Sequence, residues 1–268
     1  MSADPFTLPA GADPAAPLAR ANPVAKLVAC LVVSAALLLT VDVVTAGTAL
    51  ALEAAVLPWC GLGPRTLLRR AWVLPAGAAP AAWAAAFLGE GSGPTLLVLG
   101  PFTATEGSVT AGAAVAARIL AVGLPGIVLL STTDPTDLAD SLAQNLRLPH
   151  RFVLAGLAAL GLFRILAEER RTLRLARRAR GLGGGGPLAR VLSLFGQAFA
   201  LLVVGLRRAT VLATAMEARG FGAGPRRTWA RPSPFTRSDA AVCVGALAIA
   251  VLATAAGIVT GSWHVVLG

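Results

Sequence analysis

The chain is short of the residues on which most soluble enzymes depend. Only 13% of its 268 residues are charged, against about 25% in an ordinary soluble domain, whereas 56% are hydrophobic and the mean hydropathy is +0.74. There is one lysine, Lys26. A phosphate-binding loop needs a lysine directly after its glycines, but the run Gly183 to Gly186 is followed by Pro187, and no glycines precede Lys26. No P-loop is present, so any ATP that drives this protein sits on another subunit. Cys30, Cys60 and Cys243 lie in or beside apolar blocks without a C-x-x-C pair, and His150 and His264 are far apart. The cysteines read as small core residues; no metal site, bound cofactor or catalytic residue is expected. Met1 to Leu18 lacks a basic start followed by an apolar run, so no cleaved signal peptide is expected.

What the chain does have is apolar blocks of bilayer length, which exclude a soluble enzyme. Val24 to Pro58 is apolar except for Lys26, Asp42 and Glu53. As one helix it would rise about 52 Å, against a hydrocarbon core of about 30 Å, so Asp42 is read as a turn between Val24 to Val41 and Val43 to Pro58. Further blocks run from Ala71 to Leu88, Ser108 to Leu130 and Ser238 to Thr260, with Pro75, Pro80 and Pro125 as kink points. The expectation is an all-α membrane protein of about five transmembrane helices, with a cytoplasmic segment of long helices. The segments are 1–23 (N-terminal), 24–130 (four spans), 131–237 (cytoplasmic) and 238–268 (last span and short C-terminus).

The arginines orient it. The loop from Cys60 to Arg70 holds Arg65, Arg69 and Arg70, whereas Gly89 to Gly107 holds Glu90 and Glu106 and nothing basic. By the positive-inside rule the first is cytoplasmic and the second external. The N-terminus, with Arg20 and Lys26, is then cytoplasmic and the C-terminus external. Glu53 and Arg118 fall inside spans, each about 15 Å deep. Two readings stand: they pair within the bundle, or each faces a polar crevice or snorkels by itself.

Seventeen of the 22 arginines lie between Arg147 and Arg237, so the chain's basicity is concentrated in one segment. Asp134-Pro135 is a helix-start signal for a short helix to about Leu146. The next helix, about His150 to Arg180, begins apolar and turns basic, and Arg170, Arg174 and Arg178 form a column of like charge that calls for acidic compensation. Gly181 suits its left-handed C-cap. The pattern returns 39 residues on, where Val191 to Leu206 is apolar and Ala218-Arg219-Gly220 ends the helix. Two arginines, Arg180 and Arg219, thus stand at glycine-terminated tips, in Ala179-Arg180-Gly181 and Ala218-Arg219-Gly220. A guanidinium there is a rigid fork suited to a partner's carboxylate. One such tip is ordinary capping; two in one segment are more specific. Phe152 to Leu166 and Val191 to Leu206 are apolar but short for spans; a seven-span alternative counts both as crossings.

Four stretches together resemble the transmembrane T component of energy-coupling factor (ECF) transporters, the EcfT/CbiQ family: Asn22-Pro23-Val24-Ala25-Lys26-Leu27; Ser131-Thr132-Thr133-Asp134-Pro135-Thr136-Asp137-Leu138; Glu168-Glu169 ahead of the first tip; and Ala215-Met216-Glu217-Ala218-Arg219-Gly220-Phe221. The resemblance covers roughly Asn22 to Thr260. It implies a non-catalytic subunit of the bacterial or archaeal cell membrane whose tips couple to two ABC-type ATPases, with ATP on those partners. Ala179, Arg180, Gly181, Ala218, Arg219 and Gly220 would carry the coupling, with Glu168, Glu169 and Glu217 in support. It also implies a membrane-embedded, substrate-binding S component and uptake of a vitamin or transition-metal ion. No nucleic-acid partner is expected. The sequence departs from the family at Asn22, where an acidic or polar residue precedes Pro, and in its glycine-rich loop after the first tip. Two rivals come from other classes. A basic membrane anchor or scaffold for polyanions would make all arginines matter alike. A lipid-modifying membrane enzyme would need a second acidic cluster facing Asp134, Asp137 and Asp140, and none is present.

Overall fold

The computed structural model describes residues 13, 15–40, 42–89, 93–99, 102–181, 186–221, 229 and 231–261. Glu90, Gly183 to Gly185, Gly222, Gly224, Pro225, His264 and most of the N-terminal and C-terminal segments lie outside them. In chain order the elements are α1 Pro17–Arg20, α2 Pro23–Leu38, α3 Val43–Val56 with a 3-10 turn Leu57–Cys60, α4 Pro64–Ala71, α5 Val73–Leu88, β1 Thr95–Leu99, β2 Phe102–Thr105, α6 Glu106–Thr132, α7 Pro135–Asn145, α8 His150–Ala179, α9 Pro187–Ala218 and α10 Arg237–Val259. They form two units. One contains α1 to α6, most of α7, and α10; the other contains α8 and α9.

In the larger unit α6 packs on α2, α3 and α5, and α10 packs on α2 and α3. The core is built from small side chains: Val33 and Leu37 of α2, Ala49 of α3, Ala121 of α6, Ala246 and Ala253 of α10. Between apolar helices in lipid there is no hydrophobic drive to associate, so close backbone approach through small residues supplies the contact. Gly257 marks such an approach between α10 and α3. A Cβ there would sit 2.3 Å from Thr45 Oγ1 and 2.8 Å from Asp42 Oδ2. Gly257→Ala is therefore expected to destabilise the chain by about 1–3 kcal/mol through overpacking. Gly245→Ala, whose Cβ meets nothing within 4 Å, serves as its control; equal melting temperatures for the two variants would contradict the close packing of α10 on α3.

The turn at Asp42 has a local cause. Asp42 is the N-cap of α3, accepting from Thr45 N at 2.9 Å and Thr45 Oγ1 at 2.6 Å. Likewise Asp134 Oδ1 accepts from Thr136 N at 2.7 Å ahead of α7. Thr105 and Ser108 exchange hydrogen bonds in a capping box at the start of α6. The stretch between α5 and α6, read only as a loop, carries an antiparallel hairpin in which Thr95 pairs with Thr105 and Leu99 with Phe102.

This is an all-α, multi-pass membrane protein apart from that hairpin. Among the described residues four helical stretches are long and apolar enough to cross a membrane: Val43–Cys60, Glu106–Thr132, Val191–Ala218 and Arg237–Val259. A fifth is counted if α4 and α5, bent by 44°, form one span. Four of these five coincide with expected blocks; Val191–Ala218 lies instead in the segment expected to be cytoplasmic, and it passes by length and composition without being counted as a crossing. α2 stops at Leu38 and at 16 residues rises only about 24 Å, while α9 is one unbroken 32-residue helix whose apolar part continues past Arg207 and Arg208.

The paired reading of Glu53 and Arg118 is corrected. Arg118 donates through Nε and Nη2 to Leu37 O at 2.9 and 2.6 Å, and through Nη2 to Thr40 O. It caps the end of α2, where the last carbonyls lack intrahelical partners and the dipole favours a cation. Among the described residues, both carboxyl oxygens of Glu53 are buried without a hydrogen-bond partner. Similar depth along two helices sets height only; the unpaired carbonyls beside Arg118 are the stronger attraction.

Candidate functional site

The two tips are alike in backbone. At the end of α8, Arg180 N donates to Ala176 O at 3.2 Å and Gly181 N to Arg178 O at 3.0 Å, with Gly181 at φ +73°. At the end of α9, Gly220 lies at φ +76° and its N–H reaches Glu217 O at 2.8 Å. Phe221 N donates to Met216 O at 2.9 Å, which completes a Schellman ending. A left-handed residue with a Cβ is strained, so each tip requires its glycine. A Cβ at either position would meet no atom within 4 Å; the demand comes from the backbone turn, not from crowding.

Arg180 and Arg219 each directly precede the left-handed glycine that ends the helix. Both are exposed, as are Ala179 and Ala218. Among the described residues neither guanidinium has a hydrogen bond or ion pair. Glu169 accepts from Arg208 in the ion pair that links α8 to α9. Glu168 and Glu217 are exposed and make no side-chain hydrogen bond among the described residues. The column Arg170, Arg174 and Arg178 has no ion pair with an acid among the described residues.

The two helices run antiparallel. A Cβ on Gly205 would touch Leu166 Cδ1 at 3.4 Å, and one on Gly196 would lie 3.6 Å from Arg177 Nη1; as numbers rise along α8 they fall along α9. Their C-terminal tips therefore point opposite ways, and at 1.5 Å per residue Arg180 and Arg219 stand roughly 30–40 Å apart. Large apolar side chains remain uncovered along the pair, including Phe152, Leu160, Leu175, Phe195, Phe199 and Leu202. Contiguous exposed apolar surface of this kind marks a contact face.

The Asn22 motif finds its place in the larger unit, in a clasp that sequence reasoning did not identify. Asn22 caps α2, its Oδ1 accepting from Val24 N at 3.0 Å, and its Nδ2 donates to Ser233 Oγ at 2.9 Å. Asp239 accepts from Asn22 N at 2.5 Å and from Thr236 N and Oγ1, both at 2.7 Å. Lys26 Nζ donates to Ala19 O at 3.0 Å, Thr132 O at 3.1 Å and Thr132 Oγ1 at 3.3 Å. The only lysine thus ties the ends of α1 and α6. Asn-Pro before an apolar run was a readable cap signal; the bonds of Lys26 to Thr132 and of Asp239 to Asn22, each between residues more than 100 apart, carried no local signal.

Fold and tips define a multi-pass helical membrane protein with two outward-facing, arginine-bearing helix ends. The model of the CbiQ family, described as cobalt transport protein, matches residues 14–229, and the chain belongs to this family. It is similar to the energy-coupling factor transporter transmembrane protein EcfT of Heliobacterium modesticaldum, with 34% identity over 169 residues, 60% of this chain and 64% of that one. The protein of that name from Bacillus subtilis is 32% identical with the same shares, and that from Leuconostoc gelidum is 30% identical over 54% and 58%. The chain spans less than two thirds of the length of these relatives.

Proposed function

We propose that this chain is the transmembrane coupling subunit of an ECF-type importer, transmitting motion from two ABC-type ATPases to a membrane-embedded substrate-binding component. The observation that carries the reading is the pair of exposed arginines, without an ion pair among the described residues, on glycine-capped tips at opposite ends of one antiparallel helix pair. An exposed guanidinium at a helix end can dock bidentately on a carboxylate in a partner's groove. Two such ends, tens of ångströms apart, suit two partners rather than one. The gap between the ATPases changes as they bind and hydrolyse ATP, so the tips move relative to each other and the helices carry that displacement along their length. Their apolar faces are the surface on which the substrate-binding component rides, delivering a vitamin or a transition-metal ion. The chain itself does no bond chemistry, and ATP stays on the partners.

The arginine distribution supports a cytoplasmic location for Cys60 to Arg70 and for both tips, with the N-terminus inside and the C-terminus outside. Affinity purification from native membranes in mild detergent tests the reading. Wild type should retain one or two ABC ATPases and a small multi-span protein. Arg180→Glu combined with Arg219→Glu should lose the ATPases at least tenfold while the multi-span protein remains. Recovery of no ATPase with wild type, or equal losses on reversing Arg170 and Arg174 instead, would favour a general polyanion anchor.

A further inference from the structure

The buried charges of the larger unit, and Arg118, meet helix ends that suit their sign, with one departure among the described residues. Asp42 caps α3; Asp239 meets the starts of α2 and α10; Lys26 meets the ends of α1 and α6; Arg118 meets the end of α2. Glu53 is the exception. It is 7% exposed, lies in the last turn of α3, where the helix dipole favours a cation and not an acid, and among the described residues both its oxygens lack a partner. It lines a cavity of about 580 Å3 bounded by α1, α2, α3, α6 and α10, a size that falls among small-molecule sites. Most of the remaining wall is apolar, from residues such as Ala29, Val33, Leu124, Val128 and Ile249; Lys26, whose ammonium is bonded to Ala19 and Thr132, also lines it, as do Cys30, Cys60 and Ser238. A carboxyl so placed is strongly penalised unless something donates to it, and Lys26 and Arg118 of the bundle are turned to other groups, Lys26 to two carbonyls and a hydroxyl and Arg118 to the carbonyls of Leu37 and Thr40.

We propose that this cavity binds an amphiphile with a protonated amine head, whose ammonium donates to Glu53 while its hydrocarbon body fills the space between α2, α6 and α10. The lining selects this chemistry. Calcium and magnesium take six or more oxygen ligands, and no group of three or more His, Cys, Asp or Glu converges among the described residues. A plain hydrocarbon would leave Glu53 unpaired, and an alcohol brings a donor without the opposite charge. An aminophospholipid of the bilayer and a free long-chain amine share the required head.

The test is native mass spectrometry of the full chain released from phosphatidylcholine nanodiscs containing dodecylamine, dodecanol or phosphatidylethanolamine. Wild type should keep one dodecylamine and at least fivefold less dodecanol. Glu53→Gln should lower the retained amine at least fivefold at an unchanged melting temperature. Gly245→Leu leaves Glu53 in place but extends into the cavity from α10, where a Cβ meets nothing within 4 Å; it should lower retention similarly and decides the matter if Glu53→Gln does not fold. Retention of phosphatidylethanolamine together with dodecylamine identifies the bilayer as a source, and retention of dodecylamine alone identifies free amines. Equal retention of alcohol and amine, no retention of any amine, or undiminished amine in folded Glu53→Gln overturns the proposal.

Discussion

Arg180→Glu alone is expected to remove one ATPase from the assembly and leave the other bound, and Arg219→Glu to do the same at the second tip. The reason is geometric. The tips lie roughly 30–40 Å apart at opposite ends of α8 and α9, too far for one carboxylate groove to hold both. Truncating one partner of a buried, hydrogen-bonded charge pair costs about 2–5 kcal/mol, and reversing the charge adds repulsion, so the affected ATPase should fall at least tenfold in co-purified material. The total ATPase per chain should then settle near half. Uptake, which needs both ends to move, should fall more than tenfold with either substitution. Arg180→Lys keeps the charge but loses the fork, so it should fall between wild type and the reversal. Quantitative mass spectrometry of subunit ratios, with uptake by whole cells, reads both effects. A single reversal that loses both ATPases, or one that leaves uptake intact, would sink the two-partner geometry.

The tips were legible because everything that makes them is local. A glycine just beyond a helix with arginine before it is a short-range pattern, and Gly181 and Gly220 take the positive φ that it requires. The same holds for Asp42 and Asp134, whose side chains bond to backbone two or three residues on. What stayed hidden depends on where one helix faces another. Hydropathy and rise place Glu53 and Arg118 at equal depth but say nothing of rotation about the helix axes, and Arg118 turns to the carbonyls of Leu37 and Thr40. Length misled in both directions for the same reason. α2 is short because the chain turns after Leu38 to let Asp42 cap α3, whereas α9 is long because Arg207 and Arg208 interrupt its hydropathy without interrupting its helix. The antiparallel sense of α8 and α9, on which the spacing of the tips depends, came only from the neighbours of Gly196 and Gly205.

Asp239→Ala is expected to be among the most destabilising single changes in the larger unit. Asp239 is 2% exposed and accepts from three donors: the amides of Asn22 and Thr236 and the Thr236 hydroxyl. Its charge also lies where the dipoles of α2 and α10 are both positive. Alanine would leave three donors without this acceptor, at about 1–3 kcal/mol for each left buried and unsatisfied; partial relaxation brings the sum to roughly 3–5 kcal/mol. For a chain of this size that is a fall of roughly 10 °C in melting temperature. Asp239→Asn keeps one oxygen but turns an amide donor toward donors, so it should recover only part of the loss. Asn22→Ala removes the cap of α2 and the bond to Ser233 but leaves the backbone amide on Asp239, so about 1–2 kcal/mol is expected. The order Asp239→Ala, then Asp239→Asn, then Asn22→Ala, read by thermal melts of the purified chain in one detergent, separates a clasp centred on the carboxylate from one centred on the cap. If Asp239→Ala melts within 2 °C of wild type, the carboxylate does not hold α2 to α10, and the small-residue contacts of Val33, Leu37, Ala246 and Ala253 do so by themselves.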